Sequence, residues 1–218
     1  MLTHEIEAAF LDDELSSKVA AHRDDEHPVC GLLATSLRDR LNRRLRILGD
    51  LLMILEPRSG IRTVWTGLRS KSASVRAHAI ELLDNLLEDP DERRILPLIE
   101  NWQAEGKRST IVPGALSVAS ELQAKLLHES DPWILACVLH WVGETKTQAL
   151  VPEVASQLGF ADPVVREAAL RTFALLSPDA DRLTSEVRNR LTRLQSDPDP
   201  RVRSTWLLAR SRFELAGT

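Results

Sequence analysis

Four segments of the chain align on one another: Ser72-Ala73-Ser74-Val75-Arg76, Ser130-Asp131-Pro132-Trp133-Ile134-Leu135, Ala161-Asp162-Pro163-Val164-Val165-Arg166 and Asp197-Pro198-Asp199-Pro200-Arg201-Val202-Arg203. Internal repetition constrains the fold more than any other feature here, because a repeated unit has to bury its apolar face against its neighbours. With the β-branched residue of each copy as origin (Val75, Ile134, Val165, Val202), apolar residues recur four positions on as Ala79, Val138, Ala169 and Trp206. Five positions on stand Ile80, Leu139, Leu170 and Leu207, and eight on stand Leu83, Val142 and Phe173. That spacing is one face of an α-helix. The last copy has Arg210 at the eighth position, so its outer turn is expected to face solvent, as in a terminal capping repeat.

The Asp-Pro dipeptides explain where these helices begin. Asp accepts a hydrogen bond from a free first-turn amide, and Pro at the first helical position lacks an amide that would be orphaned anyway. The origins are 59, 31 and 37 residues apart. The last two intervals fit one helix pair each, and the first leaves room for a degenerate unit across residues 91–128. Partner helices are expected near residues 58–69, 91–103, 112–128, 147–159 and 182–195, and the aligned helices over 75–87, 134–144, 165–176 and 202–213. Gly67, Gly106 and Gly159 stand near ends of partner segments, where a left-handed residue can close a helix. Composition agrees with an all-α chain: nine aromatics and no Tyr are few for a sandwich or barrel, while Leu, Ala, Arg and Glu dominate.

Two longer helices are expected before the first pair, at about 3–24 and 29–55. The second carries Leu33, Leu37, Leu41, Leu45, Leu48, Leu52 and Leu55, and Glu56-Pro57 ends it because the residue before Pro is pushed out of the helical region. Residues 1–29 hold eight acids against Lys18 and Arg23, whereas residues 38–46 hold Arg38, Arg40, Arg43, Arg44 and Arg46 against Asp39. Either the two helices neutralise each other or the second one exposes an Arg face. Residues 182–212 carry a further excess of +5. Such fields could meet acidic lipid, nucleic acid or an acidic protein, or simply be solvated. The net charge of −4 argues against a dedicated nucleic-acid binder. Cys30 and Cys137 lie beside apolar residues in a chain with no signal peptide, which suits reduced core thiols in a cytoplasmic protein.

On these residues the chain resembles HEAT and armadillo-type helical repeat proteins, and Asp162-Pro163-Val164-Val165-Arg166-Glu167-Ala168-Ala169-Leu170 carries the likeness most clearly. The resemblance covers residues 58–213. It implies a right-handed α-solenoid of antiparallel helix pairs over residues 58–218, continuous with an N-terminal two-helix extension over 1–57. More narrowly, Gly60-Ile61-Arg62, Gly67-Leu68-Arg69-Ser70 and Ala79-Ile80-Glu81-Leu82-Leu83-Asp84-Asn85-Leu86-Leu87 resemble the helical-repeat region of bacterial ATP/ADP-translocase-like transporters. That likeness implies a cytosolic regulatory module, associated with a membrane through a transporter region outside this sequence. The second copy departs from the pattern, with Leu135 in the place of Arg.

No motif for chemistry accompanies the repeats. His22-Arg23-Asp24-Asp25-Glu26-His27 has metal-capable groups without closed ligand spacing, and reads as a solvated helix end. His128 and His140 lack a nucleophile or acid at motif spacing. Gly-rich phosphate loops and HExxH motifs do not occur. Trp65, Trp102, Trp141 and Trp206 read as packing residues; Trp133, directly after Asp131-Pro132, reads as partly exposed. The expectation is a non-catalytic scaffold, without cofactor or metal, that presents a curved surface to a protein partner. Its candidate contacts are Arg76, Trp133, Arg166 and Arg203, although the recurrent Arg residues also suit bridges between helix pairs. The competing class is a HEAT-like nucleic-acid binder or DNA glycosylase-like enzyme.

Overall fold

A computed structural model describes residues 2–23, 27–55, 60–87, 89–103, 116–176 and 183–212, and the regular secondary structure among them is helical throughout. The helices are α1 (Leu2–Ala20), α2 (Pro28–Leu55), α3 (Ile61–Leu68), α4 (Ala73–Leu86), α5 (Pro90–Arg93), α6 (Leu96–Gln103), α7 (Leu116–Leu126), α8 (Pro132–Thr145), α9 (Val151–Gln157), α10 (Pro163–Leu176), α11 (Ser185–Leu194) and α12 (Pro200–Ala209). Short 3₁₀ turns over Gln148–Leu150 and Arg210–Arg212 flank α9 and follow α12. Each aligned segment opens a helix, as the periodicity predicts. The expected boundary at Glu56-Pro57, Gly106, and parts of the expected 91–128 unit lie outside the described residues.

The chain divides into two compact units, residues 1–17 with 34–110 and residues 18–33 with 111–218. In the first, Ile6, Leu41, Leu45, Leu48 and Leu52 from α1 and α2 share a core with Ile61, Trp65 and Leu68 of α3, Ala79 and Leu83 of α4, and Leu98 and Ile99 of α6. The predicted Leu stripe of α2 is buried from Leu33 to Leu52. Asp12, only 1% exposed, sits beneath two arginines of α2. Arg40 Nε donates to Asp12 Oδ1 at 2.9 Å, Arg44 Nε donates to Oδ2 at 2.8 Å, and Arg44 Nη1 reaches Glu5 Oε2 at 2.9 Å. Of the two readings of the charge-polarised N-terminus, mutual neutralisation therefore holds for Arg40 and Arg44, while Arg38, Arg43 and Arg46 are exposed.

In the second unit α10 lies between α8 and α12 and also packs on α9; α7 packs on α8 and α11 on α12. The helix starts follow the predicted chemistry. Asp131 Oδ1 accepts from the amides of Trp133 and Ile134, Asp162 Oδ1 from Val164, and Asp199 Oδ1 from Arg201. A carboxylate cap of this kind stabilises a helix by about 1 kcal/mol. Ser72, the corresponding residue before α4, makes no such bond to an amide.

Three expectations are corrected. Val75, the origin of the first copy, is 45% exposed, whereas Ile134, Val165 and Val202 are buried. Leu207 at the fifth position is 57% exposed, while Leu139 and Leu170 are fully buried. Gly67 and Gly159 do not close helices through left-handed backbone, since among the described residues positive φ occurs at Gly60 and Lys146. Gly67 serves closeness instead: a Cβ there would lie 3.0 Å from Ala79 Cβ, so α3 and α4 could not approach as they do.

Candidate partner-binding face

At about 100° per residue, the positions one before, six after and ten after each origin fall within ~40° of one another on a helix. In α8 these are Trp133, His140 and Glu144, in α10 Val164, Arg171 and Leu175, and in α12 and the turn after it Arg201, Leu208 and Arg212. None of them is buried, and the face opposite carries the core. The side-by-side packing of α8, α10 and α12 sets these rows next to one another, so the second unit carries a continuous mixed face.

Trp133 is the largest exposed apolar group on it, at 52%. Its position is rigid for local reasons: Pro132 fills the first helical position, and Asp131 holds the Trp133 amide at 2.9 Å and the Ile134 amide at 3.2 Å. Leu175 at 41% and Leu208 at 82% are also exposed on this face. Between them lie polar groups: Arg171 Nη2 donates to Glu167 Oε1 at 3.3 Å, and the Thr205 hydroxyl is 3.4 Å from the same oxygen. His140 has its pKa lowered by burial and by Arg171, with Glu167 opposing. Its imidazole is thereby biased toward the neutral form.

The three arginine candidates share another geometry. Arg76 Nη1 donates to the carbonyls of Ser70 and Lys71 (2.9 and 3.0 Å), Arg166 Nη1 to those of Phe160 and Ala161 (2.9 and 2.7 Å), and Arg203 Nη1 to those of Asp197 and Pro198 (2.6 and 3.0 Å). In every case the acceptors lie six and five residues upstream, so each guanidinium clamps the loop that leads into its own helix. Arg166 does more, since its Nε and Nη2 grip Asp197 Oδ2 and Oδ1 at 2.7 and 2.8 Å. Asp197 also accepts from the Asp199 amide at 2.9 Å. The Arg166 bonds, foremost, hold the Asp197 carboxyl below its ordinary range. Leu135, which replaces Arg in the second copy, is fully buried and adds to the core of the second unit instead.

Two elements escaped the repeat alignment. Arg93 Nε donates to Leu87 O at 2.6 Å, again six residues upstream, and the signal was available as Asp89-Pro90-Asp91-Glu92-Arg93. Buried Gln123 donates through Nε2 to the Thr145 hydroxyl and accepts at Oε1 from Thr147, both at 2.9 Å, and no spacing rule announces that network.

Other features offer little for chemistry. A cleft at the ends of α9 and α11 is lined by Arg166, Arg190, Arg193 and Asp197. Arg166 there is spent on Asp197, and Arg190 on Glu186 (2.6 Å) and the Ser156 carbonyl (2.8 Å). Cys30 and Cys137 are buried and in no disulfide, and burial, assisted by Asp131, pushes Cys137 up to about 11, far from a reactive thiolate. His22 lies against Trp141 with ring centroids 5.5 Å apart, and His27 Nδ1 is 3.8 Å from Glu144 Oε2. Asp24, Asp25 and Glu26 between them lie outside the described residues, as do Arg182 and the side chain of Trp102. Trp65, Trp141 and Trp206 are buried as predicted. Among the described residues no group of three or more His, Cys, Asp or Glu could hold a metal ion, and no helix is long and apolar enough to cross a membrane.

No family model, curated protein or solved structure matches the chain.

Proposed function

We propose that this chain is a non-catalytic, HEAT-like helical scaffold that binds a protein partner through the exposed face of α8, α10 and α12, with Trp133 as its anchor. The observation that carries this reading is a Trp 52% exposed on a helix start held rigid by two capping hydrogen bonds. An aromatic side chain on fixed backbone offers large contact area at small entropic cost, which is why Trp dominates binding energy where it occurs in interfaces. Leu175 and Leu208 are further exposed apolar side chains on the three helices, and Arg171, Arg201 and Glu144 are polar groups of the same rows. The recurring arginines support the scaffold: Arg166 and Arg203 lock the loops that lead into α10 and α12, and Arg76 does the same for α4 in the first unit. The solenoid arrangement, the cytoplasmic location and a link to a translocase-like transporter belong to the same proposal and rest on the resemblance of the repeats.

The test is site-specific photocrosslinking in the source cells, with the crosslinker at position 133 and, as control, at Thr192 on the exposed side of α11. A discrete protein adduct from position 133 alone is expected, and Trp133→Ala should weaken that partner at least tenfold with no loss of thermal stability. Absence of an adduct at 133, or an equal adduct at Thr192, overturns the reading. Salt-dependent retention of the purified chain on DNA would favour the nucleic-acid alternative instead.

A further inference from the structure

The packing of α8, α10 and α12 shows how one helix receives the next. The receiving edge of α8 runs through Leu139 and Gly143: Thr172 Oγ1 of α10 donates to Leu139 O at 2.7 Å, and a Cβ on Gly143 would lie 3.1 Å from Leu175 Cδ1. The receiving edge of α10 runs through Arg166, Glu167 and Leu170. Arg166 takes Asp197 in a two-pronged grip, Glu167 faces Thr205, and Leu170 is fully buried. In both copies the apolar residue five after the origin, Leu139 or Leu170, is fully buried in a helix that carries another against it.

The corresponding positions of α12 are Arg203 and Leu207, and no described helix follows α12 to pack on them. Leu207, whose equivalents Leu139 and Leu170 are at 0%, is 57% exposed. Arg203 repeats half of what Arg166 does. Its Nη1 clamps the loop carbonyls in the same way, but its Nε and Nη2, which in Arg166 hold a carboxylate, have no partner among the described residues. A guanidinium fork already fixed on one side is pre-organised for a two-pronged carboxylate.

We infer that the edge of α12 is a docking site for a helical segment of a protein partner that carries an acidic loop. This rests on the scaffold reading and deepens it by stating the partner's chemistry. The carboxylate takes Arg203 as Asp197 takes Arg166, and an apolar helix face covers Leu207. A second copy docking edge to edge would present to Arg203 the same edge, whose residues Arg203 and Leu207 include no carboxylate, because such an interface is self-complementary. The guanidinium therefore selects an acidic partner instead.

The probe is a fluorescein-labelled peptide of residues 183–212 of this chain, whose Asp197 already makes this contact on Arg166. Titrated with the full-length protein at low salt, it should show saturable anisotropy. Binding should weaken at least tenfold with Leu207→Glu or Arg203→Gln in the protein, and likewise with Asp197→Asn in the peptide. Trp133→Ala should leave it unchanged, so the two proposals fail separately. As a second measurement, the same segment joined behind the chain through a flexible linker should raise the Tm, and Leu207→Glu in the receiving helix should abolish the rise. Three results overturn the inference: no binding together with no rise in Tm; binding indifferent to Leu207→Glu, as displacement of the chain's own α11 and α12 would give; or self-association of the unlabelled chain that Leu207→Glu removes, which would make a second copy the occupant.

Discussion

Single side chains set tolerances in this fold that their residue types do not announce. Gly49 lies on α2 where the Trp65 indole crosses it, and a Cβ there would sit 2.1 Å from Trp65 Cε2. The indole is 4% exposed, so it can shift only by displacing its neighbours in the core. Gly49→Ala is therefore expected to cost about 1–3 kcal/mol by overpacking, although Ala is the better helix former. The measurement is a lower urea midpoint at unchanged slope; an equal or higher midpoint would show that the contact yields. The Arg166–Asp197 pair, with side chains 13% and 5% exposed, is the other sensitive point. Removing the carboxylate charge leaves the Arg166 guanidinium its loop carbonyls alone, so Asp197→Asn should cost roughly 1.5–3 kcal/mol at neutral pH. The bonds from Arg166 place the folded-state pKa of Asp197 below its ordinary 3.8. Its contribution is accordingly complete above that ordinary value and is lost as pH falls through the folded-state one. Acid titration of stability should show a steeper descent below about pH 4 in the parent than in Asp197→Asn. Identical acid limbs would show that the pair carries no linkage.

Helix starts and helix stops obey different rules. The starts of α8, α10 and α12 use Asp-Pro caps whose chemistry is local, which is why they are legible as dipeptides. The stop of α8 is not, because it places Lys146 in the left-handed region at φ 50°, ψ 42°, where a Cβ is unfavourable. Lys146→Gly should stabilise the second unit by about 0.5–1 kcal/mol, since Gly adopts that conformation without the steric cost. Thermal unfolding reads this directly, and a lower Tm would mean that the Lys146 side chain holds the turn by contacts of its own. The glycines expected to end helices, Gly67 and Gly159, lack this backbone. Tertiary approach placed Gly67, where α4 comes within contact of α3, and nothing within 4 Å of a Cβ explains Gly159.

At the scale of the molecule, repeat position does not determine burial. Leu170 and Leu207 occupy the same place in the repeat, yet one is fully buried and the other 57% exposed. Leu170→Ala should therefore cost about 2–5 kcal/mol, as large-to-small changes in a packed core do, and Leu207→Ala under about 1 kcal/mol. Comparable losses in chemical denaturation would show that Leu207 is covered in solution. The all-helical class, the helix starts and the buried stripe of α2 were legible in the one-dimensional pattern, because 3.6-residue periodicity and first-turn capping are encoded within a few residues of where they act. The exposure of Val75 and Leu207, the pairing of Arg166 with a carboxylate 31 residues away and the fit of Gly49 to Trp65 depend on which helix lies against which. Local pattern tells a helix which face is apolar. Only tertiary packing decides whether another helix arrives to cover it.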